Sequence, residues 1–498
     1  MAAKAGAGGI GFAEAEAEPP LAPIASGRPD TAGERYPDFE ERSFVAVADD
    51  PRSTFSVDVD TASYANVRRY LRSGTLPPPE AVRTEELVNY FDYDYPEPTN
   101  GAPFAVVTEV GPAPWRPEHR LVHIGLQAKK IDLSRTPPRN LVFLLDVSGS
   151  MESPDKLPLL KSSLAMLVDG LRPADRIGIV VYAGASGVVL EPTNDRAAIL
   201  EALESLHAGG STNGAGGIEA AYALARQSFV PGGINRVILA TDGDFNVGPQ
   251  SPAALRRLIE KKRKDGIFLS VLGFGTGNLQ DRTMQVLAQH GNGNAAYIDS
   301  LAEARKVLVE EAGGTLVTVA KDVKIQVEFN PLQVAAYRLI GYETRHLEHR
   351  DFNDDRKDAG DIGAGHTVTA LYEIVPASRN VAGGTDPLKY QRPSTPSDAA
   401  RSGELLTVRL RYKHPRGTRS RLLEVPVRDD ERPLERTSND FRFSAAVAEF
   451  AMLLHRSPHA GRSSWQQVVE LAQGALGADR AGRRREFVTL ARTAATLR

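Results

Sequence analysis

Residues 141–151 read LVFLLDVSGSM. Five large apolar residues with no polar residue between them fit a short strand covered on both faces, not one with a wet side. The run ends at Asp146, and the loop leaving it carries Ser148 and Ser150. One carboxylate and two hydroxyls within five residues are hard oxygen donors, suited to Mg²⁺ and unsuited to soft metals.

On either side of this stretch, from Asn140 to about Ala312, apolar strands alternate with amphipathic helices. After LVFLLD come RIGIVVYA (176–183), GVVLEP (187–192), INRVILATD (234–242), GIFLSVLGFG (266–275) and AAYIDS (295–300). Helical spacing ends near Leu171, surrounds Ile199, runs from Ala215 to Phe229, surrounds Leu258 and Met284, and closes through Val309. Such alternation predicts a doubly wound, Rossmann-like parallel α/β sheet. With strand order 3-2-1-4-5-6, the strand ending at Asp146 lies beside the one ending at Asp242, and ligands bind there, outside the carboxyl ends. Thr212, in the Gly-rich GGSTNGAGG (209–217) that opens a helix, is the remaining candidate donor.

The flanks change period. Val323, Ile325, Val327 and Phe329, and then Leu406, Val408, Leu410 and Tyr412, alternate as half-buried strands do. Two strands before the α/β unit (104–110 and 121–127) and about five after it predict a β-sandwich into which the α/β domain is inserted. Residues 1–50 read as a disordered tail, 51–98 as a helical N-terminal region with a second helix opened by Pro79, and 99–138 as the first sandwich strands. The α/β domain then takes 139–313, the rest of the sandwich 314–435 with a flexible excursion at 382–402, and amphipathic helices 436–498.

At 498 residues, about three domains are expected. The absence of Cys removes thiol nucleophiles, disulfides and Cys-containing zinc sites. A formal net charge of −3 gives no field towards nucleic acid or anionic lipid, and KKRK (261–264) and RRR (483–485) lie near helix ends, where cations complement the dipole. No apolar run reaches the ~18 residues of a membrane span. The opening MAAKAGAGGIGFAEAEAEPP lacks the basic start and apolar middle of a signal peptide, so the chain is expected to be cytoplasmic or to begin after an export signal. No GxxxxGK, HExxH or GxSxG motif occurs and no general base is evident among the candidate ligands, so no enzyme activity is expected.

Asp146, Ser148, Ser150, Thr212 and Asp242 together match the metal-ion-dependent adhesion site, or MIDAS, and here the sequence resembles the von Willebrand factor type A (VWA) family. STFSVDVDTASYANVRRYL (53–71), EELVNYFDYDYP (85–96), YRLIGYETR (337–345), GAGHTVTALYEI (363–374) and EFAMLL (449–454) resemble the flanks of a bacterial VWA group with an N-terminal associated region and a C-terminal domain of unknown function. Proteins of that group are often predicted envelope lipoproteins. The resemblance implies that the two Ser and the Thr coordinate Mg²⁺ (Mn²⁺ or Ca²⁺ serving also) and that the Asp pair acts through water. A partner protein's Asp or Glu then completes the shell. A cation-dependent protein-binding module at the cell envelope, held by an anchor preceding this chain, is the implied function. The alternatives are a cytoplasmic adaptor for an AAA+ (MoxR-type) ATPase and a metal-dependent hydrolase.

Other polar clusters are read as structural. Asp60 or Thr61 caps a helix, Asp58 faces solvent, and Asp244 stands in a solvated loop near the ion. DFNDDRKDAGDIGAG (351–365) is an acidic surface loop, because Arg356 and Ile362 stand where a calcium loop needs Gly and Glu. His346 and His349 lack a third ligand.

Overall fold

Two short strands, β1 (Val45–Ala46) and β2 (Arg52–Ser56), come first among the described elements. The computed structural model describes residues 34, 36, 39–57, 60–99, 101–132, 136–183, 186–210, 214–243, 252–276, 281–311, 317–357, 359–378 and 396–497. Within the expected tail, residues 39–50 are packed onto the body: Val47 is buried and Glu41 meets the guanidinium of Arg338 at 2.7 Å. Averaging composition over fifty residues hid the apolar Phe44, Val45 and Val47, so the tail reading is corrected for this stretch.

Helices α1 (Ala62–Arg72) and α2 (Thr84–Val88) follow. The single helix expected from Pro79 is split, because Pro79–Ala81 make one 3₁₀ turn and extended Arg83 gives its N–H to Ser63 Oγ at 2.9 Å. Ser63 thereby takes a donor that a continuous helix would bond internally. The long strands β3 (Phe104–Ala113) and β4 (Arg116–Ala128) then pair as an antiparallel hairpin.

The α/β domain comprises β5 (Arg139–Asp146), α3 (Leu157–Asp169), β6 (Arg176–Tyr182), β7 (Ser186–Thr193), α4 (Arg196–Glu204) and α5 (Gly214–Gln227). It continues through β8 (Ile234–Thr241), α6 (Pro252–Lys264), β9 (Phe268–Phe274), α7 (Asp281–His290), β10 (Ala295–Ile298) and α8 (Leu301–Arg305), which runs into a π-helical turn at Lys306–Glu310. The sheet order is β10-β9-β8-β5-β6-β7. Strand β5 is central: Leu141, Phe143 and Leu145 pack towards α3 and α4, while Val142 and Leu144 pack towards α5. Apolar partners on both faces are why LVFLL shows no alternation. One expectation fails, since β7 is antiparallel to β6. Only residues 183–185 separate them in the chain, and a parallel crossover needs a dozen residues or more.

Beyond it lie β11 (Thr318–Phe329), β12 (Val334–Ile340), β13 (Gly360–Gly363), β14 (Thr367–Pro376), β15 (Leu406–Lys413) and β16 (Ser420–Val427). Sheets β1-β12-β14-β4-β3 and β13-β11-β15-β16, the latter extended by β2 on β11, face each other across Phe55, Val122, Ile124, Ile325, Val327 and Tyr372. Strands from before and after the α/β domain share the first sheet, so that domain is an insertion in a β-sandwich. The acidic stretch expected as a surface loop contributes β13, because Ile362 is buried in the sandwich. Helices α9 (Asn439–Leu454), α10 (Trp465–Gln473) and α11 (Arg483–Thr496) form a third layer with α2, packing Phe441, Phe450 and Phe487 near Leu121, Ile340 and Leu371 of the first sheet.

Arg68 of α1 joins these parts. It is 2% exposed and donates to Asp299 and Glu303 of the α/β domain, each at 2.7 Å, to Tyr90 Oη at 2.8 Å, and to Glu486 of α11 at 3.3 Å. Arg68→Met leaves two buried carboxylates short of a partner, and should lower the free energy of unfolding in urea by about 3–5 kcal/mol. A loss under 1 kcal/mol would show the network to be dispensable.

Glu449 of α9 is fully buried, and burial pushes its carboxyl up from 4.5 to about 7. A raised folded-state value means that stability is lost as pH climbs from the unfolded value through 7. Glu449→Gln should therefore gain about 2 kcal/mol more over wild type at pH 8 than at pH 5. A pH-independent difference between the two proteins would contradict this.

Candidate metal centre

Strand β5 delivers Asp146 to its carboxyl end fully buried, and the chain then turns into a 3₁₀ segment, Gly149–Glu152. Asp146 Oδ1 accepts the Ser148 N–H at 2.9 Å and the Ser148 hydroxyl at 2.6 Å. Ser148 Oγ stands 3.1 Å from Ser150 Oγ, and Ser150 is exposed. The other carboxylate oxygen, Oδ2, accepts from Tyr182 Oη at 3.0 Å and Thr241 Oγ1 at 3.4 Å. The loop is thus a ring of oxygens around one carboxylate, with one hydroxyl facing outward.

Asp242 follows β8, the parallel neighbour of β5, and is 1% exposed. The order 3-2-1-4-5-6 therefore brings it beside Asp146, as the pattern predicts. Its Oδ2 accepts from the ammonium of Lys156 at 2.9 Å. Lys156 reaches it by passing Gly275 (φ +74°), where a Cβ would lie 2.3 Å from the lysine side chain, so only glycine leaves this path open. Burial, with the nearby charge of Asp242 adding to it, pushes the Asp146 carboxyl up against the opposing hydrogen bonds from Ser148. Tyr182, buried beside Asp146, stays a protonated donor because burial and that carboxylate both push its phenol well above its usual range.

Thr212 lies outside the described residues. Its loop is tethered to the first one all the same: Gly209 gives its N–H to Val147 O at 2.7 Å, and Gly149 gives its own to Gly210 O at 3.2 Å. Asp244 and Asp58 also fall outside the described residues. Thr61 takes the N-cap position of α1 without a side-chain cap bond, while Asp60 accepts the Ala295 N–H at 3.0 Å and pairs with Arg345 at 3.1 Å, pinning the start of β10. His349 bonds Asp50 at 2.7 Å and Thr54 at 2.9 Å.

Sequence reasoning missed Lys156, Tyr182 and Thr241. The last two were within reach, since each ends a strand adjoining β5. Nothing in MESPDKL signals that the lysine turns inward. Among the described residues, no group of three or more His, Asp and Glu is arranged to hold a metal. Asp146, Ser148, Ser150 and Asp242 offer oxygen donors alone, of the chemical type that suits a hard divalent cation.

The model of the von Willebrand factor type A domain matches residues 141–244, and one described as von Willebrand factor matches residues 30–123. A third, described as uncharacterized protein YfbK, C-terminal, matches residues 314–497. Uncharacterized protein YfbK of Escherichia coli (strain K12) is 45% identical over 465 residues, which cover 92% of this chain and 80% of that protein. A UPF0353 protein of Mycolicibacterium paratuberculosis is 28% identical over 192 residues, 34% of this chain and 57% of that protein. Among solved structures, von Willebrand factor type A from Catenulispora acidiphila aligns at 19% identity and TM-score 0.41 over 78% of this chain and 91% of its own. The ArnB paralog VWA2 from Sulfolobus acidocaldarius aligns at 14% and 0.38 over 80% and 98%. On its identity to YfbK over nearly its whole length, the chain belongs to the YfbK family of von Willebrand factor type A domain proteins.

Proposed function

We propose that this chain is a non-enzymatic, divalent-cation-dependent protein-binding module. Asp146, Ser148, Ser150 and Asp242, with Thr212, would hold Mg²⁺ (Mn²⁺ or Ca²⁺ serving also), and an Asp or Glu of a partner protein would complete the shell. The observation that carries this reading is the pair of buried carboxylates on adjacent parallel strands beside hydroxyls 3.1 Å apart, one of them exposed. When bound, the ion supplies a fixed positive charge at the protein surface.

The charges favour an acidic partner. Lys156 already neutralises Asp242, so two carboxylates, one ammonium and a dication leave one positive charge, which attracts a carboxylate strongly where water is partly excluded. Beside the site, between α3 and α4, runs a groove of about 610 Å³ with Glu152, Lys161, Leu203 and His207 along it. It gives room for the residues flanking a partner's acidic side chain. Among the described residues no helix is long and apolar enough to cross a membrane. We place the module at the cell envelope, with the Ala-, Gly- and Pro-rich first residues as its tether. Recovery of the native chain only from cytoplasm, bound to an ATPase of the AAA+ class, would favour the adaptor role instead.

Titration calorimetry should show Mg²⁺ binding that disappears in Asp146→Ala and Asp242→Ala while circular dichroism is unchanged; variants that bind like wild type would sink the proposal. A second expectation concerns Lys156. Removing an ammonium that competes for Asp242 should tighten Mg²⁺ about tenfold in Lys156→Met, some 1.4 kcal/mol, and weaken Mg²⁺-dependent capture of acidic proteins from native extract. Unchanged Mg²⁺ affinity would mean that the lysine does not set the charge of the site.

A further inference from the structure

At the end of the parallel sheet opposite the metal centre, the α/β domain and the sandwich enclose a cavity of about 530 Å³, within the range of small-molecule sites. Leu141, Leu167, Ile238, Leu272 and Leu308 line it, all of them buried in the domain's own apolar core. Gln127, Gly365 and Thr367 close it from the sandwich side. Along β5, Leu141 and Asp146 are about 16 Å apart at ~3.3 Å per residue, so this site is separate from the metal centre and does not depend on that assignment.

Arg236, the third residue of β8, also lines the cavity. It is 3% exposed. Its Nη1 donates to Ser270 Oγ at 2.6 Å, its guanidinium lies 5.8 Å over the Phe268 ring, and its buried Nε has no hydrogen-bond partner. Burial pulls the guanidinium down to about 10, with Asp361 only partly opposing. Carboxylates around the cavity are engaged elsewhere: Asp60 with Arg345, Asp92 and Glu310 with Arg483, and Glu311 with Lys306. Among the described residues no carboxylate forms an ion pair with Arg236.

A buried charge with an unmade hydrogen bond is costly, and a ligand that supplies the missing acceptor recovers that cost. A planar guanidinium matches the two oxygens of a carboxylate or phosphate. The leucines around it would be covered best by an apolar body. We propose that this cavity binds a small amphiphilic anion, its acidic head on Arg236 and its apolar part against the floor formed by Leu141, Ile238 and Leu272.

Calorimetry on the full chain with decanoate, decyl phosphate, decanol and inorganic phosphate, each below its aggregation threshold, tests this. At least one of the two amphiphilic anions should bind tenfold or more tighter than both decanol and inorganic phosphate, and whichever head binds tighter names the class. Arg236→Met should erase that preference without lowering the thermal midpoint. On wild-type protein, adding the tighter anion should shift the Arg236 Nε–H resonance, which reads the contact without any substitution. Failure of both anions to saturate, equal binding by inorganic phosphate, unchanged binding by Arg236→Met, or an unmoved Nε–H resonance would each overturn the proposal.

Discussion

The guanidinium of Arg68 holds the assembly of this chain together. An inserted domain is attached by only two crossings of the chain, and apolar contact between domains permits sliding, whereas a directional network does not. Arg68 sits on α1, donates to Asp299 and Glu303 of the α/β domain, and reaches Glu486 of α11 and the hydroxyl of Tyr90. Burial alone would push the Glu303 carboxyl up, but Lys306 and Arg68 pull it below its usual range, so it stays ionised. Lys306 in turn lies 4.5 Å over the Tyr90 ring, and that ring stacks on Tyr64 at 3.8 Å. Replacing such a network by hydrocarbon can leave stability unharmed. What hydrocarbon would not supply is one fixed orientation of the α/β domain on the sandwich, and the cavity needs it because its walls come from both bodies.

The parallel sheet also sorts charge by end. At its carboxyl end two carboxylates, Asp146 and Asp242, are buried, and the ammonium of Lys156 bonds Asp242. At its amino end Arg236 is buried, and among the described residues no carboxylate forms an ion pair with it. The same backbone polarity underlies both, since loops leave every parallel strand at one end and helices return to the other. Helix α3 spans the distance, with Lys156 just before its first turn beside Asp242 and Leu167 in its last turn at the cavity.

Much of this was legible because it depends on pattern. LVFLL fits a strand covered on both faces, its neighbours repeat the theme, and the strand order follows from the way doubly wound sheets are built, which puts Asp242 beside Asp146. What escaped depends on short-range competition or on burial. The helix expected from Pro79 broke because Ser63, twenty residues earlier in the chain, offered Arg83 an acceptor. β7 turned back because its connection was too short for a crossover. β1 is two residues long, and it pairs with β12, some three hundred residues away.

Lys156 and Arg236 mark a sharper boundary. A lysine before a helix and an arginine near the start of a strand read as solvated ends of elements, and most such residues are. Whether a charged side chain turns inward is decided by what the rest of the fold leaves open: a glycine at 275 in one case, a gap between two domains in the other. Periodicity reports the faces that a residue's own element offers. It carries no information about the vacancy opposite, which for Lys156 lies within the α/β domain and for Arg236 lies between that domain and the sandwich.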